Sequence, residues 1–275
     1  MNLIMAVTTY NRIKFFQEFI SSWCETINKK HNWILVVADD GSTDGTIEYI
    51  KNFQFKNKII FENKRFGIAN QTNIIFKYIE NYDYDICFKA DDDMLFIKKG
   101  WDDLYIKAII ETKYQHLCYE NPNFNLGDWC KNGVLDNPIL LTINNNKFIA
   151  RTKSLYTKGC FFTITKNIQN EVGFMDSYNF FHGYEHIDYT KRCARLGFNN
   201  VEFTFDCFDS NNYLSYRFPW NKDQPCLGSK EYLLNQNGWY SKYKKLKLIN
   251  DNSRLYIPYN ISKRRMQSQF HGYLL

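Results

Sequence analysis

Three consecutive carboxylates, Asp91-Asp92-Asp93, follow the apolar run Ile86-Cys87-Phe88 in the stretch FKADDDMLF. Adjacent like charges repel, so such a cluster beside a closing core requires either full hydration or a strong neutralising charge. A divalent cation would supply that charge. Hard oxygen ligands without clustered His or Cys select Mg2+ or Mn2+, ions that keep several waters and bridge to substrate phosphates. A solvated acidic turn is the competing reading. A second acidic pair, Asp39-Asp40, ends the apolar run from Trp33 to Ala38.

The elements that must position these acids follow from hydrophobic periodicity. Leu3 to Val7 reads as a buried strand, and Ile13, Phe16, Phe19, Ile20 and Trp23 then recur at helical spacing. Trp33 to Ala38 is a second strand. Ser42 or Thr43 is expected to cap a helix carrying Ile47, Tyr49, Ile50 and Phe53. Lys58 to Phe61 is a third strand, Ile68 to about Tyr82 a helix, and Ile86 to Phe88 a fourth strand. Strands alternating with helices imply right-handed crossovers and an α/β fold with a mainly parallel sheet. In such sheets ligands bind at the carboxyl ends of the strands, where both acidic groups fall. Further on, Gly159 to Thr163 reads as a strand feeding a short helix from Lys166 to Val172, and Val201 to Phe205 as another strand. Pro138 to Ile143 and Phe148 to Ala150 form a hairpin around Asn144-Asn145-Asn146.

The chain of 275 residues, 44% hydrophobic and 18% aromatic, can fill one large core with a smaller appendage. Leu3 to Val7 is too short for a signal peptide, and no run approaches about 18 apolar residues. Eight scattered cysteines without CxxC pairs point to reduced thiols. The expectation is a cytoplasmic protein. The net charge of +6 gathers in the last quarter, at Lys242, Lys244, Lys245, Lys247, Lys263, Arg264 and Arg265. That region suits an anionic partner or peripheral membrane association, with a solvated tail as the alternative. No nucleic-acid partner is expected.

Thr8-Thr9-Tyr10-Asn11-Arg12 after the first strand, Asp39-Asp40-Gly41-Ser42-Thr43-Asp44-Gly45-Thr46 after the second and Asp91-Asp92-Asp93 after the fourth resemble the family 2 glycosyltransferases of the GT-A fold. Val172-Gly173-Phe174-Met175-Asp176, followed by Gly183-Tyr184-Glu185-His186-Ile187-Asp188 and Arg192, is similar to that family's acceptor-side segment. The resemblance spans roughly residues 1 to 210, divided into a nucleotide-binding half (1–95) and an acceptor-binding half (96–210). Residues 211–275 would form an aromatic and basic C-terminal extension, acting as a lid, a subdomain or an oligomer contact.

The resemblance implies a nucleotide-sugar donor, with UDP the first choice, and a hydroxyl acceptor on a glycan or lipid-linked precursor. It assigns the nucleoside to Thr8, Tyr10, Arg12, Asp39 and Asp40, because a carboxylate can accept the uracil N3–H and Tyr10 can stack on the ring. Arg65 and Asn73 resemble the basic and amide positions near the nucleotide. Asp91 and Asp93, with Asp92 between, correspond to the DxD metal motif that would hold Mn2+ or Mg2+ against the diphosphate. At the family's usual catalytic Asp stands His186, flanked by Glu185 and Asp188, and the base is Glu185 or His186. Asp188 also fits the first turn of a helix. His182, Asp206, Asp209, Asn211 and His271 are the side chains left for acceptor contact or a further metal ligand. The implied reaction is an inverting transfer of one sugar, since neither a QxxRW-type motif nor membrane spans of processive synthases are found. A sugar-nucleotide pyrophosphorylase would need a glycine-rich loop where TTYNR stands, and a non-catalytic binding relative would have little use for the acid triplet.

Overall fold

The protein is described by a computed structural model over residues 1–120, 138–152, 159–180, 183–217 and 242–259. β1 (Asn2–Thr9), β2 (Asn32–Asp39), β3 (Lys58–Glu62) and β4 (Ile86–Asp91) alternate with α1 (Ile13–Thr26), α2 (Thr46–Asn52) and α3 (Ile68–Ile79). The four strands run parallel in the spatial order β3-β2-β1-β4, and β8 (Phe161–Ile164) closes the edge antiparallel to β4. Parallel strands need crossovers, so helices cover both faces and the strands read as unbroken apolar runs. Alternate residues enter different cores. Leu3, Met5 and Val7 meet Phe16, Phe19 and Trp23 of α1, whereas Ile4 and Ala6 meet Ile75, Phe76 and Ile79 of α3. The same alternation in β4 puts Phe88 with the α1 core and Cys87 with the α3 core.

The second half adds α4 (Trp101–Thr112), α5 (Lys166–Val172) and α6 (Glu185–Arg195), then α7 (Lys242–Ile249). The helix α4 is absent from the sequence reading, although Trp101, Tyr105, Ala108 and Ile109 are its buried face. Trp101 fills an aromatic cluster, with ring centroids 5.0 Å from Phe88, 4.7 Å from Phe96 and 5.7 Å from Trp33. The expected hairpin is β6 (Ile139–Ile143) and β7 (Asn146–Ala150), joined by Asn144 and Asn145 at φ of 48° and 64°. β7 also pairs with β9 (Phe205–Cys207), and β5 (Met94–Phe96) with β10 (Leu214–Tyr216).

β1 and β4 run longer than expected, and the strand expected over Gly159–Thr163 is Phe161–Ile164; three further differences have a local cause. The strand expected over Val201–Phe205 begins at Phe205, because its partner edge on β7 extends only from Phe148 to Ala150. α3 stops at Ile79, where Lys166 Nζ takes up the carbonyls of Glu80 and Tyr82. Ser42 and Thr43 do not cap α2: Gly45, at φ 91°, precedes it, and Asp44 accepts from Thr46 N at 3.1 Å. Among the described residues no helix is long and apolar enough to cross a membrane.

Candidate active site

The loops after β1 and β2 are stitched into one unit. Asn11, at φ 51°, accepts from Thr43 N at 2.7 Å through Oδ1, while its own N donates to Ser42 Oγ at 2.8 Å. Asp44 accepts from Ile13 N at 2.9 Å at the start of α1. TYNR and DDGSTDGT, 31 to 32 residues apart at these hydrogen bonds, thus form one rim along the carboxyl end of the sheet.

The pair Asp39-Asp40 divides between the two faces of the sheet, as successive strand residues must. Asp40 turns toward α3. Its carboxylate accepts from Phe66 N at 2.6 Å, Gly67 N at 3.1 Å and Gln71 Nε2 at 2.6 Å, so it anchors the start of that helix. Asp39 turns the other way. Its Oδ1 accepts from Gly41 N at 3.0 Å and Ser42 N at 2.8 Å, and its Oδ2 is buried with no donor among the described residues. Burial raises the pKa of both carboxyls, and the surrounding N–H donors work against that rise.

The acid triplet resolves in the same way. Asp92 is buried, receiving Thr9 Oγ1 at 2.7 Å and the Arg12 guanidinium at 2.7 Å. Asp93 Oδ2 meets the other arm of Arg12 at 2.9 Å, whereas its Oδ1 is buried without a donor among the described residues. Asp91 is paired with Lys89 Nζ. Lys89 itself is buried, and its ammonium also reaches the Gly159 carbonyl at 3.3 Å. Burial drives the Asp92 and Asp93 carboxyls upward in pKa, opposed by Arg12. Three carboxyl groups face two cations, so with all three ionised one negative charge is in excess. An open buried oxygen on Asp93, Asp91 beside it and this charge excess fit a hard divalent ion that takes its other ligands from phosphate and water. Among the described residues no group of three or more His, Cys, Asp or Glu side chains is arranged to hold a metal alone.

The start of α6 approaches the triplet across Gly159 and Cys160. Asp91 N donates to Cys160 O at 2.7 Å, and the His186 ring lies against Gly159 so closely that an added Cβ would sit 2.7 Å from its Cγ. His186 Nδ1 and Glu185 Oε1 are 3.0 Å apart. Glu185 is buried and His186 half-buried. Asp188 is not part of this group. It faces the interior, held by Arg192 Nε at 3.0 Å and Arg254 at 2.8 Å, so a catalytic part is replaced by a structural one.

Of the remaining candidates, Thr8 sits in β1 between Ala38 and Asp91, and Tyr10 lies under the Arg65 guanidinium, 3.5 Å from the ring centroid. Arg12 braces the triplet and lies 4.6 Å over the Phe15 ring. Asn73 stands apart: its amide is engaged by the Met175 backbone, Oδ1 accepting from N at 2.8 Å and Nδ2 donating to O at 2.9 Å. Asp206, a reserve metal ligand, is saturated by Tyr105 Oη at 2.7 Å, Glu120 N at 2.8 Å and Ser210 Oγ. Asp209 is exposed, Asn211 Oδ1 accepts from Tyr119 Oη at 3.0 Å, and His182 and His271 lie outside the described residues. Lys89, Thr9 and Gly159 touch these residues; Thr9 stands in the quoted TTYNR and Gly159 at the start of an expected strand, but the sequence reading assigns none of the three a role. A lysine inside a buried strand, two residues before an acid, was the available signal for Lys89.

The architecture and motifs have relatives. An uncharacterised glycosyltransferase of Acanthamoeba polyphaga mimivirus is 27% identical over 217 residues, covering 76% of this chain and 79% of the relative. Among solved structures, residues 1–349 of S. aureus TarS in complex with UDP superpose with a TM-score of 0.56 at 16% identity, over 92% of this chain and 71% of that one. GalNAc-T7 with UDP, GalNAc and Mn2+ superposes with a TM-score of 0.59 at 14% identity, over 89% of this chain and 49% of that one. The chain spans less than half, 43%, of the longer TarS structure. These likenesses establish the GT-A architecture. Residues 5–208 match the family described as Glycosyl transferase family 2, and the chain belongs to that family.

Proposed function

We propose that this glycosyltransferase moves a single sugar, with inversion, from a UDP-sugar to a hydroxyl of a glycan or lipid-linked acceptor. The observation that carries the reading is the pair of buried carboxylate oxygens left open at the sheet's carboxyl edge, Asp39 Oδ2 and Asp93 Oδ1. Asp39 ends β2 and Asp93 lies just past β4, and these strands flank β1, so the strands that carry the two acids are two spacings, roughly 10 Å, apart. That is the scale separating a nucleobase from its diphosphate. Asp39 would accept the uracil N3–H, with Tyr10 and Arg65 as the stacking wall. The solved relatives bound to UDP and UDP-GlcNAc support this choice of nucleotide.

Asp91 and Asp93 would hold Mn2+ or Mg2+, which when bound offsets the charge growing on the departing diphosphate. Arg12 and Lys89 orient those two carboxylates. On the acceptor side Glu185 accepts from His186 Nδ1–H, which fixes the tautomer and leaves Nε2 to take the proton of the attacking hydroxyl. His186 is thus the base and Glu185 its orienting partner. We further assign residues 1–210 to the transferase domain and 211–275 to an extension, of which 211–217 and 242–259 are described, and whose basic composition suits an anionic membrane surface.

The test is UDP release by the full chain from a panel of UDP-sugars, with and without Mn2+, alongside calorimetric UDP binding. One donor should be turned over in an ion-dependent manner, and UDP should bind with or without turnover. Absence of ion-dependent UDP binding overturns the reading.

A further inference from the structure

Residues 246–257 form a clasp over the acceptor-side helix, and they lie beyond the family-matched residues 5–208. Ile249 is buried with Phe180 and Ile187. Lys191 Nζ donates to Asn250 Oδ1 at 2.8 Å, and Arg195 donates to the Ile249 carbonyl at 2.8 Å and the Asp251 carbonyl at 3.1 Å. The segment then runs beside the turn that precedes α6. Phe174 N donates to Ile257 O at 2.9 Å and Ile257 N to Val172 O at 3.2 Å. Gly173, at φ 74°, allows this approach, since a Cβ there would collide with the Ile257 carbonyl.

Arg254 joins these contacts. It reaches Asp188 Oδ1 at 2.8 Å, the Leu248 carbonyl at 2.9 Å and Asp176 Oδ2. Asp188 is in the first turn of α6, its N bonded to Tyr184 O at 3.0 Å, one turn from Glu185 and two residues from His186. Its other oxygen holds Arg192, whose remaining arms reach the carbonyls of Val172 at 2.7 Å and Phe174 at 2.8 Å. Both faces of the Asp188 carboxylate are thus gripped, one from within the family domain and one from outside it.

We propose that Arg254 is a positioning residue: it fixes the first turn of α6, and through it the Glu185–His186 pair, against the donor site. This inference rests on the transferase reading above. A small displacement of a base relative to its substrate lowers turnover strongly while leaving donor binding intact.

The full chain and its Arg254→Gln and Arg254→Lys variants would be compared by hydrogen exchange, UDP binding and transfer kinetics. Arg254→Gln should raise exchange over residues 183–190 about tenfold more than in β1–β4. Its kcat should fall about tenfold or more, with the donor KM held within about twofold, and lysine should restore most of the rate. If glutamine prevents folding, Arg195→Gln loosens the same clasp and should raise exchange in α6 alone. Unchanged exchange in α6, a uniform rise across the sheet, or unchanged kcat overturns the role. A wild type that binds no UDP removes the transferase reading instead, an outcome distinguishable because the exchange pattern is read without donor.

Discussion

Two sets of carboxylates, one at the ends of β2 and β4 and one beneath α6, differ in how completely they are paired. Asp39 and Asp93, at the ends of β2 and β4, each keep one buried oxygen without a donor among the described residues. Asp176 and Asp188, beneath α6, have both oxygens engaged: Arg192 and Arg254 on Asp188, Arg254 and Asn179 on Asp176. Native interiors rarely tolerate an open polar atom; under the proposed function the first set is read as kept for a ligand, whereas the second forms a closed structural network. Acid content alone would not separate them.

The contrast predicts opposite responses to the same chemical change. Asp188→Asn removes one charge facing two guanidinium groups, and breaking a buried pair costs about 3–5 kcal/mol. Denaturant unfolding should show that loss, and a change below about 1 kcal/mol would place Asp188 outside any closed network. Asp93→Asn should leave stability within about 1 kcal/mol, since Arg12 keeps Asp92 as its partner. Ion-dependent transfer should fall about 10²- to 10³-fold, the scale of losing one electrostatic contact to the transition state. Retained activity with lost stability in this variant would reverse the assignment of the two sets.

Much of this was legible in sequence, and for a definite reason. Leu3 to Val7, Trp33 to Ala38 and Ile86 to Phe88 are continuous apolar runs because both faces of the parallel sheet are covered, and acids at their ends stand out against that background. The division of labour within each acidic group was not legible. Asp39 and Asp40 are adjacent and alike, and only the donors gathered from Phe66, Gly67 and Gln71, about 26 to 31 residues on, tell them apart. Asp188 looked available for chemistry because its second partner, Arg254, is 66 residues away in a segment with no motif. The three-residue strands β5, β9 and β10 carry too few residues for a period to register.

Gly159 gives the smallest and most local test of the contrast. Its backbone lies outside the left-handed region, so alanine is acceptable to the main chain, but the new Cβ would sit 2.7 Å from His186 Cγ and 2.8 Å from Nδ1. The ring must then swing away, and its 3.0 Å contact with Glu185 Oε1 is the bond that suffers. Gly159→Ala should therefore lower kcat about tenfold, leave donor KM unchanged, and move stability by no more than about 1 kcal/mol. Because the effect passes through one imidazole, it should vanish in a His186→Ala background, where the two changes act on the same group and cannot add. Steady-state kinetics of the four proteins in that cycle decide the matter. Additive losses would show that the Gly159 turn acts on the Asp91 side, through Lys89 and the Gly159 carbonyl, and not through the base.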